Sequence, residues 1–289
     1  MLMQGKHMVI TGATSGIGFE TARALAEMGA AVTIISRSES KGIEFTGKLR
    51  EQSKNQAVDF VVADLASQQQ ISHAAEEILK RRPVVDVLIN NAGVWYSGFG
   101  LTEDHIERMF AVNHLSYFLL THCLMDGLKK AASARVINVS SDSHFNGKMH
   151  WDDLNLRRHY HGLRAYGQSK LANVLFSYEF VRRNPGLSVT INAVHPGLVK
   201  TNIGVKHTNP FHTLAWRLRR SSGVSPAKGA ATSVYLASSP EVSGVTGKYW
   251  HDCKSKPSSK ASYSKEDAAR LWDDSKKLCG IDDYFSSRI

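Results

Sequence analysis

The sequence predicts an α/β protein built on a doubly wound parallel sheet, with helices covering both faces, as a single domain. Three observations predict it. Short apolar runs alternate with amphipathic helical patterns along the chain, the order that builds βαβ units. The first run leads at once into a glycine-rich turn and a helix. Polar residues able to carry chemistry fall just after the runs, where the carboxyl ends of parallel strands gather ligands.

His7-Met-Val-Ile-Thr11 reads as a buried strand over 7–11. Gly12-Ala-Thr14-Ser15-Gly16-Ile17-Gly18 then turns the chain into a helix over 16–28 that ends at Gly29. The first glycine permits a tight turn and the later two let a pyrophosphate approach the backbone. The helix N-terminus offers N–H groups to its charge. This is the logic of a Rossmann-type dinucleotide site, although the spacing is GxxxGxG rather than GxGxxG and an ordinary strand–helix corner is the alternative. The second strand, 30–36, ends in Ser36-Arg37. An acid near this point would bind the ribose hydroxyl of NAD, whereas an arginine accommodates the 2′-phosphate of NADP. Arg37, with Ser36, Ser38 or Lys41 in support, therefore favours NADP(H), with NAD(H) as the alternative cofactor.

Further strands are expected at 57–63, 85–90, 134–140, 188–195 and 246–250, with helices at 67–81, 102–127 and 165–183. Asp64-Leu65 follows the third strand, where the aspartate either meets a ligand or caps the helix near Ser67. Asn90-Asn91-Ala92-Gly93 follows the fourth, Ser140-Ser141 the fifth and Pro196-Gly197-Leu198-Val199-Lys-Thr201 the sixth. In Tyr166-Gly-Gln-Ser-Lys170 the tyrosine and lysine share one helix face, so an ammonium stands beside a phenol whose ordinary pKa is about 10. A positive neighbour favours phenolate, and a serine from the fifth strand end could hold the oxygen that exchanges a proton.

Thr11-Gly12-Ala-Thr-Ser-Gly16-Ile-Gly18, Asp64-Leu65, Asn90-Asn91-Ala92-Gly93, Asn113, Ser141, Tyr166, Lys170 and Pro196-Gly197 with Thr201 occur in the order seen in short-chain dehydrogenases/reductases. The resemblance spans nearly the whole chain. His144, Ser169-Lys170-Leu-Ala-Asn173, Val194-His195-Pro-Gly197 and Gly247-Lys-Tyr-Trp-His-Asp-Cys-Lys254 resemble its retinol-dehydrogenase-like branch. The resemblance implies hydride transfer between a nicotinamide and a carbonyl or alcohol. Tyr166 would be the acid or base, Ser141 the hydrogen-bond donor, Lys170 the ribose ligand and Asn113 the holder of a relay water. It implies that Asp64 and the Leu65 backbone meet adenine. Asn91, Ala92 and Gly93 would lie under the cofactor, and Pro196, Gly197, Val199 and Thr201 at the carboxamide. Ser140 and Ser141 point to opposite sides of an extended strand, so only one can face Tyr166; the resemblance selects Ser141.

With 289 residues, 42% hydrophobic and 21% charged, the chain can bury a large core without a second domain. Cys123, Cys253 and Cys279 lack metal-ligand or disulfide-framework spacing, so no metal and a reducing compartment are expected. No apolar run reaches the roughly 18 residues of a spanning helix, and no signal peptide is visible, which favours the cytoplasm. The formal charge of +10 is spread along the chain without a nucleic-acid module, so nucleic acid is not an expected partner.

Trp95, His144, Leu198, Phe211 and Trp216, together with Ser141, are the candidate lining of a substrate pocket. Residues 206–220 alternate apolar and arginine positions and read as a lid within a substrate-loop region of about 200–225, or as a membrane-contacting patch. Residues from about 251 to 289 form a C-terminal extension. A hydrophobic aldehyde, ketone or alcohol is the expected substrate. The resemblance suggests a homodimer or homotetramer through the helices of 102–127 and 165–183. The competing readings are an NAD-dependent alcohol dehydrogenase of the same fold and a non-catalytic dinucleotide sensor or scaffold.

Overall fold

The computed structural model describes residues 2–184, 186, 188–200 and 223–286. Among these, one sheet has the order β3-β2-β1-β4-β5-β6-β7-β8. Its strands are β1 His7–Thr11, β2 Ala31–Ser36, β3 Val58–Val62, β4 Val87–Asn90, β5 Arg135–Val139, β6 Thr190–His195, β7 Tyr249–His251 and β8 Lys254–Lys256. All pairings are parallel except β7 with β8. The strand order reverses at β1 and β4, so the crevice expected of such a sheet opens beside the glycine turn.

The helices are α1 Gly16–Glu27, α2 Glu39–Ser53, α3 Gln68–Arg81, α4 Arg108–Phe110, α5 Ser116–Cys123, α6 Met125–Lys130, α7 Gly162–Arg183, α8 Pro226–Ser238 and α9 Lys265–Leu278. Alternate strand residues feed two cores, one on each face of the sheet. Val9, Leu88, Val136 and Ile191 pack with residues of α3, α5, α7 and α9. Met8, Ile10, Ile89 and Ile137 pack with residues of α1, α2 and α8.

The helix expected over 102–127 is shorter and interrupted. Leu101 bridges to Glu107, His105 takes a φ of 59°, and the Glu107 carboxylate accepts from the Phe110 N–H at 2.8 Å. The helix therefore begins at Arg108, although no glycine or proline marks the boundary. A π-helical turn over Ala111–Leu115 follows, and Asn113 lies within it. The last strand expected at 246–250 is displaced to Tyr249–His251 because Gly247 turns with φ 65° and donates its N–H to the Ile191 carbonyl at 2.8 Å. The polar stretch after it forms edge strand β8, whose exposed Lys254 and Lys256 discourage further strand pairing.

The helices proposed for oligomer contacts carry the chain's own C-terminal segment. Phe118 of α5 lies 5.3 Å from Trp272 and 4.5 Å from Tyr284, ring centre to ring centre, and Phe180 of α7 lies 5.5 Å from Phe285. Their apolar faces are covered within one chain. Trp272→Ala is expected to cost about 3–5 kcal/mol in urea unfolding. Asp273→Ala, which removes an exposed ion pair to Arg183, is expected to cost under about 1 kcal/mol. Equal midpoints for the two variants would show that this covering adds little.

Candidate active site

The glycine turn and the turn after β4 touch backbone to backbone. A side chain at Gly12 would bring its Cβ to 2.7 Å from the Ala92 Cα, and one at Gly18 to 2.4 Å from both Asn91 Nδ2 and the Gly12 carbonyl. Thr11 Oγ1 accepts from the N–H groups of Asn91 and Ala92, both at 2.9 Å, while Asn91 Nδ2 donates to the Thr11 carbonyl at 2.9 Å. Asn91 thus holds the floor of the crevice together. Ser15 at the start of α1 makes no side-chain cap, and the first turn has no carboxylate. Gly16, with φ 56°, leads the chain into that turn. Uncapped N–H groups and the positive helix end suit the pyrophosphate of a dinucleotide, so the residues present fit that cofactor. Thr14 and Ile17 are half-buried beside this turn.

Arg37 is exposed beyond β2, and among the described residues no carboxylate pairs with it. The Ser36 hydroxyl donates to the Ser38 carbonyl at 2.9 Å, a local turn rather than a ligand group. One Asp64 oxygen accepts from the Ala66 N–H at 2.9 Å, and Ser67, not Asp64, caps α3. Leu65 is buried beside it, and Gly93 is half-buried after the Asn91 turn. Beyond β6, Gly197 takes φ 82° after Pro196, and Val199 bridges to Val224 and packs over Gly229 of α8. Thr201, Phe211, Trp216 and the proposed lid over 206–220 lie outside the described residues.

Across the crevice, β5 delivers two serines in opposite directions. The Ser140 hydroxyl turns inward and donates to the Lys170 carbonyl at 2.8 Å. Ser141 caps a 3-10 turn over Asp142–Asn146, its hydroxyl oxygen accepting from the Ser143 N–H at 3.2 Å, and it stands near enough to the Tyr166 phenol to pull its pKa down. Tyr166 and Lys170 follow on α7, with the ammonium 5.7 Å from the phenol ring centre and 2.9 Å from the Val139 carbonyl. Burial pushes the phenol up to about 12, against a smaller opposing pull from Ser141. It also pushes Lys170 down to about 7. Desolvation therefore outweighs the expected attraction of the ammonium, and the phenol keeps its proton at neutral pH.

These motifs, on this sheet, match one family. The short chain dehydrogenase family model matches residues 6–210. The chain belongs to the short-chain dehydrogenase family. This short-chain dehydrogenase is 39% identical to Retinol dehydrogenase 14 of Homo sapiens, over 97% of this chain and 88% of that one. It is 42% identical to Retinol dehydrogenase 12 of Mus musculus, over 96% and 87%. Among solved structures, a putative uncharacterized protein from Mycobacterium Paratuberculosis superposes with a TM-score of 0.77 at 30% identity, covering 96% of this chain and 94% of that one. The short-chain dehydrogenase thus lies in the retinol-dehydrogenase-like branch and is an oxidoreductase of alcohols and carbonyls using NAD(P)(H).

Other expected residues of this short-chain dehydrogenase take different places. Trp95, 2% exposed, packs with Met109, Leu156 and Ala165 in a cluster that supports Tyr166, so it is backing rather than lining. His144 is fully buried, with Nδ1 2.7 Å from the Ser141 carbonyl and Nε2 accepting from the Ser259 N–H at 3.0 Å, so it presents no surface to a substrate. Trp151, a few residues further along, donates to Asp267 on α9 at 2.8 Å. Leu198 is exposed at the mouth of the loop after β6. Asn113 clamps Val94 with both ends of its amide, accepting from the N–H at 2.7 Å and donating to the carbonyl at 3.0 Å. The Asn113 carbonyl accepts from Asn173 Nδ2 at 2.8 Å. Asn173 carried no expected role, though its place three residues after Lys170 on α7 puts both on one helix face. Behind it, His114 reaches Asn173 Oδ1 at 3.3 Å and Ser275 Oγ at 3.2 Å.

Two expectations follow from this packing. Gly18→Ala should lower the unfolding midpoint and weaken dinucleotide binding, because its Cβ meets backbone and a held amide; unchanged binding by calorimetry would contradict the close approach. Burial depresses His114 from 6.5 to about 3. The unfolded chain then binds the extra proton first as pH falls, so this contribution to stability is complete above 6.5 and declines toward 3. Urea midpoints should fall more gently over that range in His114→Gln than in the parent protein.

Proposed function

We propose that the protein is an NADP(H)-dependent oxidoreductase that interconverts a hydrophobic aldehyde or ketone and its alcohol, with Tyr166 as general acid and base. The observation that carries this is the meeting of Ser141, Tyr166 and Lys170 at the sheet end that also holds the glycine turn. Bound nicotinamide dinucleotide supplies the hydride for carbonyl reduction, or accepts it in alcohol oxidation. The protein's own groups handle the proton. Tyr166, with its phenol held up to about 12, is charged with a proton at neutral pH and suits the donor role toward a developing alkoxide. Ser141, beside the phenol, can offer its hydroxyl to the same substrate oxygen.

Lys170 is anchored on the Val139 carbonyl and would hold the ribose, and the Asn113 carbonyl lies behind it in the Asn173 network as the place for a relay. The exposed Arg37, which pairs with no carboxylate among the described residues, supports a 2′-phosphate and hence NADP(H). Asp64 and Leu65 would border the adenine, and Pro196, Gly197 and Val199 the carboxamide. The substrate class is supported by Phe145, 49% exposed, Leu163, 56%, and Leu198, 37%. Phe145 lies in the turn capped by Ser141, Leu163 three residues before Tyr166, and Leu198 directly after Gly197. The relatives named retinol dehydrogenases place isoprenoid carbonyls first in a substrate screen.

Initial rates on aliphatic, aromatic and isoprenoid carbonyls should give higher kcat/KM with NADPH than with NADH. Arg37→Glu should lower the NADPH value about 10- to 100-fold, the loss of a charge-assisted contact, and leave NADH nearly unchanged. Tyr166→Phe should lower kcat by about 10²–10⁴. Preference for NADH in the parent protein would overturn the cofactor assignment. Full activity in Tyr166→Phe would overturn the mechanism, and absence of turnover across the panel would favour a sensor.

A further inference from the structure

The turn that presents Ser141 is held from two sides by histidines that come from different parts of the fold. The Ser141 carbonyl faces His144 Nδ1 at 2.7 Å, so that nitrogen carries a proton and donates it. The next N–H along the same peptide unit, that of Asp142, donates to His195 Nδ1 at 3.2 Å, so in His195 this nitrogen is the bare one. The two rings therefore hold opposite tautomers, and each serves one end of a single peptide plane.

Both rings are themselves fixed by the C-terminal part of the chain. His144 Nε2 accepts from the Ser259 N–H at 3.0 Å, and its ring lies 4.7 Å from that of Tyr249. His195 stacks on His251 at 4.8 Å with 22° between the planes. Tyr249 and His251 are alternate residues of β7, so one face of that strand backs both histidines. The groups facing His195 are Asp142, His251 and His144.

We propose that His144 and His195 are positioning residues that clamp the Ser141–Asp142 peptide and so set the direction of the Ser141 hydroxyl toward Tyr166. This rests on the reading of Ser141 as a catalytic donor. The chemistry of the clamp needs both rings neutral, since protonation would remove the acceptor nitrogen that each ring uses. Burial keeps them so: His195 is pushed down to about 4 and His144 is lowered as well. The Ser141 oxygen accepts from the Ser143 N–H at 3.2 Å and meets the Ser143 hydroxyl at 3.4 Å, so the serine is held by the turn that the clamped peptide begins. A shift of that peptide shifts the turn and the serine with it, and misplacement of about 1 Å at a reacting centre costs on the order of 100-fold in rate. The clamp also gives strand β7 and the Ser259 region, which among the described residues make no hydrogen bond to Tyr166 or Lys170, a defined route to the chemistry.

The test is a double-mutant cycle on the full chain, with Ser141→Ala, His195→Leu, His195→Asn and the double variant Ser141→Ala/His195→Leu. Steady-state kcat and KM, NADPH affinity by fluorescence titration and the thermal midpoint are read for each. His195→Leu should lower kcat at least about 10-fold with NADPH affinity unchanged, and should add less than about 2-fold once Ser141 is alanine. His195→Asn, whose amide oxygen stands near the place of Nδ1, should recover kcat to within about 3-fold. Losses that multiply in the double variant would overturn the clamp, as would a His195→Leu effect confined to NADPH affinity, which would place the histidine on the cofactor loop instead. Should His195→Leu fail to fold, His195→Asn against His195→Gln decides, because glutamine carries its oxygen one carbon further; equal kcat in the two overturns the proposal. Full activity in Ser141→Ala alone would overturn the catalytic reading of Ser141 and the clamp with it, and is seen separately in that single variant.

Discussion

The carbonyl oxygen of Val139, at the end of β5, receives Lys170 Nζ at 2.9 Å, Asn173 Nδ2 at 3.3 Å and the Tyr117 hydroxyl at 3.5 Å. A buried carbonyl needs a donor, and a buried ammonium needs an acceptor even more. Each solves the problem of the other at one point in space. Because α7 is rigid, fixing Lys170 there fixes Tyr166 one turn earlier, and because Val139 precedes the two serines, it fixes Ser141 as well. The relative placement of phenol, ammonium and serine hydroxyl is thus a consequence of one strand end and one helix meeting at one oxygen.

The polar layer behind that oxygen explains the interruption in the helix after β4. A regular α-helix would direct the Asn113 carbonyl along the helix axis. In the π-helical turn that carbonyl instead accepts from Asn173, while the side chain grips Val94 and meets the Ser169 hydroxyl at 3.1 Å. The network continues through His114 to Ser275, so helix α9 is tied by hydrogen bonds to the same layer that it covers with Trp272. Satisfying buried polar groups and burying aromatic surface act on the same helix here, and either alone would leave the other exposed to water.

Those features of the fold and site that depend on neighbours in sequence were legible in the chain. The glycine turn, Arg37 at the end of β2 and the Tyr166–Lys170 pair are each set within a few residues, and alternation along β5 limited the choice to one of two serines. What was not legible joins residues far apart. His144 looked like pocket lining because it follows the serines, yet its ring is taken up by Ser141 on one side and Ser259 on the other. Trp95 follows the Asn91 turn but is drawn under Tyr166 by Met109 and Leu156. The covering of α5 and α7 by residues near Trp272 and Tyr284 has no periodic signature, since apolar helix faces look the same whether the chain or a second copy covers them.

The pKa directions at the site bear on how such a layer can serve chemistry. Burial raises the phenol of Tyr166 and lowers the ammonium of Lys170, the opposite of what a simple ion-pair picture of the pair requires. With the phenol held high, its proton is present at neutral pH rather than lost in advance to solvent; in the proposed reduction the substrate oxygen would draw it off as that oxygen becomes basic. With Lys170 near neutrality, any added negative charge close to its Nζ draws it toward the charged form, because attraction then offsets the cost of desolvation. A dinucleotide that offers Lys170 the neutral hydroxyls of a ribose would give the ammonium further acceptors, which favours its charged form less strongly than an anion would. Desolvation thus opposes charge on both groups at once, and only polar partners brought into the crevice can offset it.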